Sequence, residues 1–433
     1  MPMVTPNQAS RDPAHPADTS SYGGALAVVA SLFFIFGFLT CLNDILVPHL
    51  KAIFDLGYAG AMLIQFAFFG AYFIFAVPSA KVVDGVGYQW AMVVGLVVMG
   101  LGAFLFVPAA SVPSFPLFLV ALVILAGGIT CLQVAANPYV TVLGKPETAS
   151  SRLNLVQAFN SLGTFLAPFF GGMVILSAVS KTAEELRALA PEALEAYRVQ
   201  EAASVKAPYV GLGLALVVLA VVVSRLRLPD MPQARHPVGD HPKDSLWRHP
   251  NLLFGAVGIF VYVGAEVAIG SFLVNYFSEP DIGGLTEKEA ASFVAFYWGG
   301  AMVGRFLGSG LLQKVNPRRL LGVAAVTAAL LVSLSMLSSG SMAMWSMIGV
   351  GLCNSVMFPI IFTLGVAELG PLMGDASGVM VMAVVGGAII PVAQGFLADS
   401  VGIHHAFVLP VLCYLYILFF AWSGSKPNSQ RYA

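Results

Sequence analysis

Apolar residues run along this chain in stretches of about twenty, separated by Gly, Pro or charged residues and without period-two alternation inside them. Twenty residues of α-helix reach about 30 Å, the thickness of a bilayer's hydrocarbon core. Only helices and closed barrels satisfy every backbone hydrogen bond in lipid, and unalternated runs predict helices. The pattern predicts spans over about 25–47, 60–82, 89–109, 115–141, 154–178 and 208–226. A second set follows over about 251–277, 290–313, 318–338, 341–366, 376–398 and 404–423. The expected fold class is an all-α membrane protein of twelve transmembrane helices in two six-helix bundles.

The polar stretches divide the chain further. Residues 1–24 read as a disordered tail; they lack the basic start, short apolar core and cleavage site of a signal peptide. The first bundle occupies 25–228 and contains an outer loop, 179–207, whose Ala, Glu and Leu spacing predicts short amphipathic helices. A basic, Pro-rich linker, 229–250 (PDMPQARHPVGDHPKDSLWRHP), precedes the second bundle at 251–424 and a tail at 425–433.

Composition turns this pattern into a statement about solvent. Of 433 residues 58% are hydrophobic and 10% charged, against about a quarter charged in a soluble domain. Too few polar atoms remain to cover a water-facing surface. With both termini placed in the cytoplasm, 15 of the 21 Lys and Arg fall on that side, and four of the other six lie in one long loop. The positive-inside rule therefore puts both ends in the cytoplasm. A net charge of −1 gives no reason to expect a nucleic-acid partner. Cys41, Cys131, Cys353 and Cys413 all lie in apolar runs without CxxC spacing and read as packing residues.

The halves carry a weak repeat. Gln133, Pro138 and Gly144 recur at the same spacings as Asn354, Pro359 and Gly365, each 221 positions later. Parallel six-helix repeats place a substrate site between them near the midplane.

Charged groups inside spans are costly and need a reason. Asp44 in the first span and Glu266 in the seventh are candidates for ion coupling, loading a proton in one access state and releasing it in the other. Each could instead be held permanently by interhelical hydrogen bonds. Asn43, Gln133, Asn137, Gln157, Asn160, Asn275 and Asn354 form an amide set at mid-span. Amides both donate and accept, which suits the hydroxyls of a neutral polyol, although they could also be interhelical glue. Glu266 could equally bond a sugar. Trp298, at the start of the eighth span, could stack on a sugar's apolar face or anchor the helix at the interface. Gly300, Gly304 and Gly308 form a smooth helix face, and Pro138, Pro359 and Pro391 are expected to kink their spans. No phosphate-binding loop, nucleophile elbow or metal-ligand cluster exists, so neither an ATPase, an enzyme, a metal nor a cofactor is expected.

FGFLTCLNDILVPHLK, LQVAANPYVTVLG, LNLVQAFNSLGTFLAPFFGG, AEVAIGSFLVNYF and MFPIIFTLGVAELG resemble the fucose–galactose–hexose permeases of the major facilitator superfamily. The similarity runs over about 25–423. It implies a major facilitator fold, an Asp44 tied to proton-coupled sugar uptake, and Gln157 and Asn160 in a sugar cavity. The superfamily signature after the second span is poorly kept: AKVVDGVGYQW retains Asp84 and Gly87 without the basic residues. Asp84 and a positive charge at Arg305 are the gating candidates. Gln133 stands where the fucose permease pattern has a glutamate, and Phe358 where it has a tyrosine. An amide cannot exchange a proton, so a two-carboxylate relay cannot operate in the first half. LQVAANPY looks like the glucose/galactose branch.

The expectation is an alternating-access cation symporter for a neutral hexose, with the proton as the simplest ion, working as a monomer in the cell inner membrane. Sodium coupling stays open as a rival, as do fucose and N-acetylglucosamine. A sugar sensor and a drug efflux pump are less favoured, the first for want of a signalling domain and the second because the cavity is rich in amides.

Overall fold

The computed structural model describes residues 19–54, 58–112, 114–174, 190, 192–193, 206–229 and 245–427. Within these, side chains are not described at 19–21, 42–54, 58–62, 168–174 and 287. Most of the outer loop 179–207, most of the linker and most of both terminal tails lie outside the described residues. Residues 19–24, expected in the disordered tail, instead form the start of α1, because Tyr22 already belongs to the apolar run that the helix follows.

The described chain is helical, with no strand among the described residues. The first half contributes α1 (Thr19–Phe54), α2 (Tyr58–Val86), α3 (Tyr88–Ser111), α4 (Phe115–Val142), α5 (Ala149–Val174) and α6 (Lys206–Arg225). The second contributes α7 (Pro250–Ser278), α8 (Glu287–Leu311), α9 (Pro317–Leu337), α10 (Gly340–Gly365), α11 (Gly370–Val401) and α12 (Ile403–Gly424). Among the described residues, ten of these twelve present a stretch long and apolar enough to cross a membrane. The other two, α5 and α8, carry Arg152, Asn154, Gln157 and Asn160, and Lys288, Glu289 and Arg305. They pack against each other across the interface between the halves, as α2 and α11 also do.

Helix boundaries follow local chemistry. Gly87 begins α3 at φ 83°, a backbone conformation that only glycine adopts without strain. Thr286 and Glu289 form a capping box at α8, and the two Thr286 donors hold the Glu289 carboxyl below the usual carboxylate range. Asn316 caps α9 by accepting from the Arg318 amide, with Pro317 in the first turn. α10 breaks at Ser355 and Val356, just before Pro359, whose ring nitrogen has no proton to donate to Ser355. Its counterpart Pro138 lies inside an uninterrupted α4. The repeat also differs at its last member. Gly144 is needed for φ 105°, whereas Gly365 has an ordinary φ and packs against the flexible end of Met380, with the Gly255 backbone behind it.

Within each half, helices pack through small residues. α1 and α5 touch backbone to backbone: a methyl on Gly37 would overlap the Asn160 carbonyl, and one on Gly163 the Phe34 carbonyl. The Gly300, Gly304 and Gly308 face lies on α10 at Leu352, Ser355 and Val356, and Gly308 also meets Asn154 of the first half. Phe73, Ile74, Leu101, Val218, Leu307, Leu330, Phe396 and Trp422 are exposed, as lipid-facing residues should be. None of the four cysteines forms a disulfide.

Contacts between the halves concentrate at one end. Tyr139 near the end of α4 donates to the Pro229 carbonyl at 3.2 Å, and Gln89 at the start of α3 donates to Leu226 beyond α6. These bonds mark the linker end of the first bundle. There, α5 meets α8 and the end of α10, while α2 runs antiparallel along the first part of α11. Phe69 lies on Gly387, Ala80 on Gly378 and Asp84 on Gly374.

Candidate functional site

α5 places Ser151, Asn154, Gln157 and Ser161 at spacings of three or four, which puts them on one face of the helix. That face lies against α8. Ser151 donates to the Ser309 carbonyl at 2.7 Å, and Asn154 to the Arg305 carbonyl at 2.7 Å. Ser150 pairs with Thr363 of α10 at 2.6 Å. From the other side, Arg305 donates to the Ser161 hydroxyl and, at 3.5 Å, to the Gln157 carbonyl. Ser377 of α11 adds a bond to the Val134 carbonyl of α4 at 2.9 Å.

Arg305 is also an ionic partner within its own half. Its guanidinium stands 3.6 Å from the Glu266 carboxylate, both side chains being about one-eighth exposed. One cation therefore serves the second bundle's carboxylate and the first bundle's polar face together.

Glu266 sits on α7 between Tyr262 and Gly270, each one turn away on the same face. The Trp298 indole lies over Gly270, where a methyl would stand 2.8 Å from Cζ2. Trp298 is 41% exposed and twelfth of the 25 residues of α8. It is thus near the middle of the helix, not at its start, so an interfacial anchor does not describe it. Tyr297 beside it, with Tyr262 and Tyr414, converges on Asn354. Asn354 donates to the Tyr297 hydroxyl at 2.9 Å and accepts from Tyr414 at 2.8 Å, while its carbonyl accepts from Tyr262 at 3.0 Å. Asn354 is fully buried with its amide occupied, so it organises three tyrosines behind Glu266.

The other expected residues divide by surroundings. Gln133 is buried on α4 and donates to the Tyr72 hydroxyl at 3.0 Å. Asn137, one turn further on, is fully buried with neither amide atom partnered. Gln157 is buried beside Arg305. Asn160 points to the α1 side of α5 and donates to the Phe33 carbonyl at 3.1 Å. Asn275 is exposed three residues from the end of α7 and half a turn round from Glu266, so it is not at mid-span and does not join this group. Asn43 and Asp44 belong to α1, but their side chains lie outside the described residues. Asp84 lies over Gly374 in the first turns of α11, where the amide end of a helix favours a negative charge.

Sequence reasoning passed over Tyr72, Tyr262 and Tyr414, and the serines Ser150, Ser151 and Ser161. The serines did carry a signal, the three-and-four spacing with Asn154 and Gln157. The tyrosines carried none, because an aromatic in an apolar run fits lipid as well as a network.

Two helical bundles closed on each other at one end, with an ion pair and amides gathered at the closure, are the architecture of a membrane transporter. The chain belongs to the Major Facilitator Superfamily, whose family model matches residues 28–385. It is 49% identical over 420 residues to the glucose/galactose transporter of Brucella abortus biovar 1 (strain 9-941), covering 96% of this chain and 98% of that one. It is 36% identical over 415 residues to the L-fucose-proton symporter of Escherichia coli (strain K12), covering 93% of each. The solved structure of the transporter FucP in the outward conformation aligns with a TM-score of 0.86 at 33% identity, over 94% of this chain and 100% of that one.

Proposed function

We propose that this chain is a proton-coupled symporter that carries glucose or galactose inward by alternating access, acting as a monomer in the cell inner membrane. The observation that carries this reading is the 49% identity, over nearly the full length of both chains, to a protein named a glucose/galactose transporter. The proton is favoured because the fucose relative at 36% identity is named a proton symporter.

In this reading the units are a tail that ends where α1 begins at Thr19, a bundle from there to 228 with its outer loop at 179–207, a linker at 229–250, a bundle at 251–424 and a tail at 425–433. The loop charges put the linker end in the cytoplasm. Closure at that end then corresponds to an outward-facing state, in which sugar enters toward Gln133, Asn137, Gln157, Asn160 and Glu266. Trp298 offers a stacking surface above Glu266. Asp44 is the principal coupling acid, since Gln133 cannot exchange a proton. Asp84 on Gly374 and Arg305 on Ser161 are the cytoplasmic gate that separates when the protein turns inward.

Uptake of labelled glucose, galactose, fucose and N-acetylglucosamine into proteoliposomes, with and without an imposed proton gradient, tests the reading. Gradient-driven accumulation of the two hexoses, lost in Asp44→Asn, is expected. Accumulation that follows sodium at fixed pH, or that favours fucose or N-acetylglucosamine, would contradict it.

A further inference from the structure

Between the start of α9 and the end of α12 lies a groove of about 760 Å³ that belongs to no part of the transport path. Its mouth is cationic, lined by Asn316, Arg318, Arg319 and Lys426, and no carboxylate lines it. Its walls are apolar, chiefly Val323, Val326, Leu418 and Trp422. From Arg319 to Val326 the wall descends about 10 Å along α9. The five residues Phe420–Gly424 at the end of α12 form a π-helical turn, and Trp422 within it is 78% exposed at the groove's rim. Arg318 is fixed in place by a 3.2 Å bond to the Ser425 carbonyl, with Glu368 close enough to act on its charge.

We propose that this groove binds an anionic phospholipid, its phosphate among Arg318, Arg319 and Lys426 and one acyl chain along Val323, Val326 and Trp422. The groove sits where apolar helices end, so headgroups and acyl chains meet there. Its positive mouth is complementary to phosphate, and a zwitterionic headgroup would bring its cation against the same three side chains. An exposed indole at this depth is the usual companion of a headgroup boundary. Helices α9 and α12 pack on each other and on α7 and α10, all in the second bundle. A lipid held here anchors that bundle without bridging to the first.

The test uses the full chain in phosphatidylcholine bilayers containing brominated phosphatidylglycerol or, separately, brominated phosphatidylcholine. The fluorescence lost in Trp422→Phe isolates the reporter at the groove. Trp422 should be quenched more by the anionic lipid. Each of Arg319→Gln and Lys426→Gln should lower the preference by about fivefold, the worth of one cation near an anionic surface. Arg318 is left intact because it closes the end of α12. Equal quenching by the two lipids in the unaltered protein would overturn the proposal, as would a preference that survives both substitutions. Native mass spectrometry supplies a second readout: a retained phosphatidylglycerol that depends on Arg319 and Lys426 is expected. An adduct displaced by inorganic phosphate would mark a free-anion site and overturn the lipid assignment.

Discussion

Arg305 of the second bundle donates to Ser161 of the first while standing 3.6 Å from Glu266 behind it. The interface between the halves is therefore tied to the carboxylate of the candidate site through one guanidinium. In the proposed mechanism, separation of the halves would break the Arg305 bonds to Ser161 and Gln157, which cross the interface, and leave its pairing with Glu266, which lies within the second bundle. On that proposal, a proton or a sugar hydroxyl engaging Glu266 would act on the same cation that bonds across the interface.

Glu266→Gln should leave Arg305 without its counter-ion. Removing one member of a buried pair costs about 3–5 kcal/mol, and the slight exposure here points to the lower end. The melting temperature in detergent should fall and uptake should drop. Adding Arg305→Met should restore the melting temperature but not uptake. Recovery of both would mean that the pair is only structural.

Gly374→Ala would place a methyl 2.5 Å from the Asp84 Oδ1. The carboxylate must shift from its present contact with the start of α11, and if Asp84 helps hold the linker end closed, closure there should loosen. With native cysteines replaced, a cysteine at the buried position of Ser151 should then be alkylated faster. Unchanged alkylation would show that Asp84 does not hold this end.

Gly37→Ala should destabilise the first bundle, because its methyl overlaps the backbone carbonyl of Asn160 and no flexible side chain can yield. Overpacking of this kind costs about 1–3 kcal/mol or more. Gly310→Ala, also in a helix but with nothing within 4 Å, should not lower the melting temperature and serves as the control.

Asn354→Leu should leave the Tyr414 hydroxyl buried without its acceptor, at a cost of about 1–3 kcal/mol, while Tyr297 loses the amide but keeps its 3.4 Å bond to the Glu266 carbonyl. Tyr414→Phe removes one donor and should cost about 1 kcal/mol. If Asn354→Leu is as stable as the parent but fails to bind sugar, Asn354 contacts substrate instead of organising tyrosines.

The twelve helices were legible because the bilayer fixes both their length and their apolarity, leaving little for tertiary structure to override. Glu266 and Arg305 were legible singly, since charge inside an apolar run is conspicuous. Their pairing was not, because 39 residues separate them and only the packing of α7 on α8 brings them together. Asn160 shows the limit differently. Its type and depth match those of Gln157, but it faces α1 rather than α8, and a composition of amides does not say which neighbour each one meets. Asn354 looked like a sugar contact for the same reason, while its amide is occupied by tyrosines that hydropathy treats as ordinary apolar residues.

Proton movement during sugar entry tests the central claim most directly. Galactose or glucose added to proteoliposomes in weakly buffered, sodium-free medium should alkalinise the outside as the sugar enters. Asp44→Asn should abolish that signal while sugar binding persists. Sugar accumulation with no pH change, or only when sodium is supplied, would contradict the account.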